Sequence, residues 1–177
     1  MIYTSKYTSP LSGILLAADE VGLRGLWFDG QKYFARDLPD ERTERETPAL
    51  SEAKRWLDLY FGGQEPNFLP PLHPVGTPFR QAVWEILLRI PYGKTVTYGE
   101  ISKQLAEKMG LERMSAQAVG GAVGHNEISI IIPCHRVVGS NGSLTGYAGG
   151  INRKIKLLEL ERADMSRFFV PKKGTAL

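Results

Sequence analysis

Pro66, Pro70, Pro71, Pro74 and Pro78 crowd into one stretch after Gly62-Gly63, and no regular element can run through them. Each proline locks its own φ, lacks an N–H donor and disfavours helix in the residue before it. The stretch reads as a stiff linker, which places the expected domains at 1–73 and 74–177. The 177 residues, 42% hydrophobic and 23% charged, carry enough apolar side chain for a core on each side and exclude a disordered or fibrous chain.

Before the linker, Tyr3, Tyr7, Leu15, Leu16, Val21, Leu23, Leu26 and Trp27 are divided by turn residues at Ser9-Pro10 and Ala18-Asp19-Glu20, a pattern of three short antiparallel strands. Residues 36–47 mix both charge signs without an apolar period and read as an exposed loop. Thr47-Pro48 then caps a helix whose stripe is Leu50, Ala53, Leu57 and Phe61. After the linker, Thr77-Pro78 starts a helix with Phe79, Val83, Ile86, Leu87 and Ile90 on one face, and Trp84 reads as core. Thr97 and Glu100 form a capping box for a helix to about Met109, and Gly110 separates it from another that begins near Ser115. The fold class is therefore α/β of the α+β kind: a small N-terminal antiparallel sheet plus helix, and a mostly helical C-terminal domain with a winged-helix-like helix-turn-helix. The second of those helices is rich in small residues (Ala116, Ala118, Gly120, Gly121, Ala122, Gly124), which suits either tight helix packing or a recognition helix lying against DNA.

Ile128 to Ile132 reads as a buried strand running into Pro133-Cys134-His135-Arg136, followed by a glycine-rich loop from Gly139 to Gly150 that carries Tyr147. A last helix spans about Asn152 to Arg162, and the tail after Met165 is expected to be loosely held. The apolar run at Ile128–Ile132 is far shorter than the roughly 20 residues that cross a bilayer, so no membrane partner is expected. The first residues lack the pattern of a signal peptide, and a lone cysteine persists best in a reducing compartment, so the expected location is the cytoplasm. A net charge of +3 permits a polyanionic partner without requiring one.

Cys134 is the only cysteine. A thiolate attacks carbon far better than a thiol, and an imidazole that accepts the proton lowers the barrier to ionisation. His135 is the adjacent base, although on a straight strand the two side chains would point to opposite faces, so the backbone must turn or a water must bridge them. A histidine base needs a third group to fix its tautomer, and Glu161 on the last helix is the carboxylate proposed for that; its bland alternative is a solvated helix residue.

Pro133-Cys-His-Arg-Val137, Pro91-Tyr-Gly-Lys-Thr-Val-Thr-Tyr-Gly-Glu100 and Ala118-Val-Gly-Gly-Ala122 resemble the methylated-DNA–protein-cysteine methyltransferases, or O6-alkylguanine-DNA alkyltransferases, over about Gly76 to Glu161. The resemblance implies suicide repair: double-stranded DNA is bound in the minor groove, an O6-alkylguanine is flipped out, and its alkyl group passes once and irreversibly to Cys134. It further implies that His135 acts as base through a water and is oriented by Glu161, that Asn126 holds the site, and that Tyr98 donates to the purine as charge develops. Gln117, Tyr147, Ala148, Gly149, Ser115, Arg136 and Arg113 form the implied DNA- and substrate-binding set, with Arg153 and Lys154 as further phosphate contacts. Three departures stand out: Gln117 replaces a common arginine, Glu127 a frequent proline, and Ala148 a serine. Direct transfer needs no cofactor, and one cysteine with His73, His125 and His135 cannot supply the zinc ligands of some members, so no metal is expected. A monomer is expected. The alternatives are a non-catalytic lesion sensor, a helix-turn-helix regulator and a cysteine hydrolase.

Overall fold

A computed structural model describes residues 1–171. They fall into two units, Met1–Val75 together with Glu127–Ile131, and Gly76–Asn126 together with the chain from Ile132 onward.

In the first unit, β1 (Tyr3–Ser9) and β2 (Ser12–Ala18) form a hairpin in which Ser9 opposes Ser12. The Ser9 hydroxyl accepts from the amides of Leu11 and Ser12, so a serine before the proline closes the turn. β3 (Leu23–Phe28) adds antiparallel to β2. Gly25 on β3 is required by packing, because a Cβ there would lie 1.9 Å from Cη2 of Trp27. The segment expected to be a featureless loop contributes a two-residue strand, β4 (Thr43–Glu44), parallel to β1, giving the order β3-β2-β1-β4. Helix α1 (Pro48–Phe61) starts at the Thr47 cap and buries Leu50, Ala53, Trp56, Leu57 and Tyr60 against a sheet whose inner residues Leu16, Leu26 and Phe28 are fully buried.

The open edge of β3 does not stay open. Leu23 exchanges backbone hydrogen bonds with the proline-rich segment (Leu23 N–H to Pro71 O, 2.7 Å; His73 N–H to Leu23 O, 2.8 Å), and Leu26 does the same with Glu127 and Ser129. Two irregular segments thus cover the edge that would otherwise template association. The proline-rich stretch is therefore docked along the sheet.

In the second unit, α2 (Pro78–Leu88) buries Trp84, whose indole donates to Ala122 O over 2.9 Å. The reading of Trp84 as core holds. α3 (Tyr98–Lys108) carries the complete Thr97/Glu100 capping box, and α4 (Ala116–Gly124) starts at the Ser115 cap. The Ser102 hydroxyl donates to Met114 O across 2.8 Å and fastens the turn between them. Short strands β5 (Val96–Thr97) and β6 (Val137–Val138) pair in parallel beside this helix-turn-helix, and α5 (Ile151–Leu160) closes the unit.

Two expectations are corrected. Ile128 to Ile132 is no strand: only Ile128 makes a bridge, Ile130 takes φ +69°, and the Ile131 amide donates to Ser129 O, so the chain reverses. A β-branched residue in the left-handed region is costly and persists only where its surroundings impose it; Ile128, Ile130 and Ile132 are all fully buried. The segment after Met165 is also held, because Leu144 N–H donates to Phe169 O and Phe169 N–H to Gly142 O. The rest of that tail, 172–177, lies outside the described residues. Among the described residues no helix is long and apolar enough to cross a membrane.

Candidate active site

The reversal at Ile130 delivers Pro133 to the start of a 3-10 turn, Cys134–Arg136. In such a turn successive side chains splay by about 120° instead of alternating across a plane. The objection that Cys134 and His135 must face opposite ways therefore falls away, and all three side chains of the turn are buried.

Three elements converge on this turn: α5, the turn before β5 and the end of α4. Glu161, at the C-terminal cap of α5, accepts from His135 Nε2 at Oε2 over 2.6 Å. The same carboxylate accepts from Arg136, Nε to Oε1 at 2.8 Å and Nη2 to Oε2 at 3.2 Å, and from the Gly93 amide at 3.1 Å. Gly93 sits at φ +76°, and a Cβ there would lie 3.0 Å from Glu161 O, so the turn before β5 needs a glycine. Asn126, just after α4, donates from Nδ2 to Cys134 Sγ at 3.2 Å and to Ile132 O at 2.8 Å. Lys154 on α5 is fully buried, and its ammonium donates to Val137 O at 2.5 Å and to Thr145 O at 2.8 Å.

These contacts set the protonation states. Burial pushes the Cys134 thiol up, and the Asn126 hydrogen bond and the Lys154 charge pull it down only in part, so it rests protonated. Burial likewise holds His135 neutral: Glu161 pulls its pKa up, while the charges of Arg136 and Lys154 push it down. Burial would protonate Glu161, but its bonds to His135 and Arg136 overcome that and keep it ionised well below the usual carboxylate range. An ionised Glu161 makes His135 Nε2 the donor, which leaves Nδ1 as the acceptor of the neutral ring. Among the described residues, that buried Nδ1 meets no hydrogen-bonding partner. Lys154 is lowered to about 8 by burial, against the pull of Cys134. Tyr98 is raised to about 12, first by burial and then by Cys134 once that thiol ionises, so its hydroxyl stays a donor; it donates to Thr145 O at 3.3 Å. Cys134 keeps 5% of its surface open.

Cys134, His135, Glu161, Asn126 and Tyr98 thus meet in one place. Tyr147 joins them, buried edge-to-face against the His135 ring at 6.3 Å. Ala148 is half-buried and Gly149 buried on the adjoining loop. Gln117, Ser115 and Arg113 lie instead on the exposed N-terminal side of α4 and the turn before it. Two assignments are corrected. Arg136, expected to face DNA, spends its guanidinium on Glu161 and on Ile90 O (2.7 Å). Lys154, expected at a phosphate, points inward. The signal for it was present: Lys154, Leu157, Leu158 and Glu161 share one helical stripe, so both charged residues fall on the buried face. The Gly93 amide and Ile90 O carried no sequence signal. Among the described residues no group of three or more His, Cys, Asp or Glu could hold a metal ion.

The 6-O-methylguanine DNA methyltransferase family models match the chain twice, the ribonuclease-like domain over residues 2–74 and the DNA-binding domain over residues 78–163. The chain belongs to this family. Methylated-DNA–protein-cysteine methyltransferases of Methanosarcina acetivorans and Mycobacterium leprae resemble it. The first is 45% identical, covering 90% of this chain and 98% of its own length; the second is 42% identical, covering 92% and 93%. The crystal structure of Mycobacterium tuberculosis OGT in complex with DNA superposes with a TM-score of 0.76 at 42% identity, covering 94% of each chain.

Proposed function

We propose that this chain takes the alkyl group from O6-alkylguanine in double-stranded DNA and keeps it as a thioether on Cys134. The observation that carries the reading is a neutral, buried His135 with Nε2 fixed by Glu161 and Nδ1 without a hydrogen-bonding partner among the described residues, next in sequence to the only thiol. A neutral imidazole so oriented is a general base. The Cys134 proton passes through a water to Nδ1, and Glu161 stabilises the imidazolium. The thiolate attacks the alkyl carbon; the C–S bond forms as the C–O6 bond breaks, and the electron pair moves onto the purine. Tyr98 donates to the ring as that charge grows, and the guanine leaves after regaining a proton. Asn126 and Lys154 steady the thiolate.

The base must be flipped out to reach Cys134, which costs a few kcal/mol and least for a lesion that pairs poorly. Exposed Gln117, Ala118 and Gly121 present a low surface on α4 that suits close approach to the minor groove. Gln117 would fill the gap left by the flipped base, and Arg113 would meet phosphate. Tyr147, Ala148 and Gly149 would wall the base pocket. Direct transfer consumes no cofactor, and each molecule acts once. We place the reaction in the cytoplasm, where a single thiol stays reduced.

The test is intact and peptide mass after incubation with a duplex holding one O6-methylguanine. The expected result is one added methyl on Cys134, and none in Cys134→Ser. An unmodified protein that binds the lesion tightly would indicate a sensor, and turnover beyond one equivalent an ordinary hydrolase or transferase.

A further inference from the structure

Arg136 has no part in the reaction as drawn, yet it occupies both oxygens of the one carboxylate that orients the base. Oε2 of Glu161 is shared between His135 Nε2 and Arg136 Nη2, and Oε1 between Arg136 Nε and the Gly93 amide. The third guanidinium nitrogen, Nη1, is tied to Ile90 O at 2.7 Å, and the group lies 5.7 Å over the Tyr92 ring. Side chains of His135 and Glu161 are fully buried and that of Arg136 is 9% exposed, so these charges act on one another with little screening.

An isolated histidine–glutamate pair buried this way has a built-in fault. The carboxylate that fixes the tautomer also attracts a proton to the ring, and an imidazole already protonated at rest cannot accept one from a thiol. A cation on the same carboxylate offsets that attraction while leaving the hydrogen bond intact. We infer that Arg136 is a positioning residue that keeps His135 unprotonated by sharing the Glu161 carboxylate, so that the relay is armed at neutral and mildly acidic pH. The charged or titratable groups facing His135 are Glu161 at the C-terminal cap of α5, Arg136 and Cys134 in its own turn, Lys154 on α5, and the Tyr147 phenol whose ring packs edge-to-face against it. Of these only Glu161 favours the imidazolium at rest. Arg136 opposes it from hydrogen-bonding distance of the same carboxylate, and the direction of the His135 shift, set first by burial, agrees. The guanidinium suits the task because its planar fork can engage both oxygens, where a lysine ammonium is a point charge.

The inference rests on the proposed relay, so its test reads the imidazole separately from alkyl transfer. The His135 ring would be titrated by NMR, assigned against His135→Gln, in the wild type, Arg136→Met and Arg136→Lys; transfer to an O6-methylguanine duplex would be followed over the same pH range. In the wild type His135 should titrate below its ordinary value. In Arg136→Met its midpoint should rise by one pH unit or more, and the acid limb of the transfer rate should move up by the same interval, a loss of about tenfold per unit below the limb. Arg136→Lys, which keeps the charge, should leave the limb in place and lower only the plateau. A wild-type ring titrating at or above the ordinary value overturns the inference, even if Arg136→Met fails to fold. So does an Arg136→Met limb that stays put while the rate falls equally at every pH, which is what mere scaffolding would give. Absence of methyl transfer in the wild type would instead defeat the repair function and leave the ring titration to stand or fall by itself.

Discussion

Nδ2 of Asn126 lies 3.2 Å from Sγ of Cys134 and 2.8 Å from the carbonyl oxygen of Ile132, so one amide group serves both the reacting atom and the backbone that carries it. Asn126 follows α4, whose N-terminal side is exposed, which links the nucleophile directly to the element proposed to meet DNA. Replacing Asn126 with Ala removes a hydrogen bond that favours the thiolate and leaves the buried Ile132 oxygen without this donor. Alkyl transfer should slow while lesion-duplex affinity holds, and stability should fall by about 1–3 kcal/mol. Single-turnover kinetics and urea unfolding measure the two; an unchanged transfer rate would contradict the role given to this amide.

Glycine at position 93 is demanded twice, by φ +76° and by the closeness of Glu161 O. Gly93→Ala should cost on the order of 1 kcal/mol or more in stability. It should also slow transfer, because the amide that holds Oε1 shifts with the turn. A variant of normal rate and lowered melting temperature would show that the Gly93 bond is dispensable for the relay.

Acid should destabilise the fold in two steps. The folded pKa of His135 lies below its ordinary 6.5, so as pH falls past 6.5 the unfolded chain binds a proton that the native state refuses, and stability drops. The slope is up to about 1.4 kcal/mol per pH unit from this one group. Glu161 adds a second loss below 4.5, where the unfolded carboxyl protonates and the native one stays ionised. Urea midpoints taken between about pH 7 and 4 should show the upper step disappear in His135→Gln; its persistence would assign the acid sensitivity elsewhere.

Lys154 and Arg113 should separate cleanly. Arg113→Ala should weaken duplex binding and reduce the salt slope by about 0.9 if that residue meets one phosphate. Lys154→Met should leave the slope unchanged and impair transfer, because the lost charge favours the Cys134 thiolate and the lost ammonium deprives Val137 O and Thr145 O of a donor. Fluorescence titrations over a salt series decide this. A fall in slope for Lys154→Met would return that residue to the DNA face.

Much of the layout was legible because it depends on local rules. Thr47-Pro48, Thr77-Pro78 and the Thr97/Glu100 box each start the helix they announce, and their side chains make the expected cap bonds. Apolar spacing identified the inner faces of α1 and α2. The Ile128–Ile132 run misled because a short apolar stretch fits a buried strand and a buried reversal equally well; only tertiary packing forces Ile130 to positive φ. Arg136 misled because charge in a sequence suggests solvent or phosphate, and nothing local shows that a carboxylate 25 positions away will claim it.

By itself the amino-acid order determined the capped helices and the β1–β2–β3 meander, the presence of one nucleophilic sulfur and the motifs around it, since caps, periodicity and residue chemistry act over a few neighbours. Tertiary structure alone decided the protonation states. Whether Cys134 is a thiol, His135 neutral or Glu161 ionised depends on burial and on charges brought from α5, which no short window contains. The physical reason is that desolvation and Coulomb interaction follow distance in space, and the fold sets that distance.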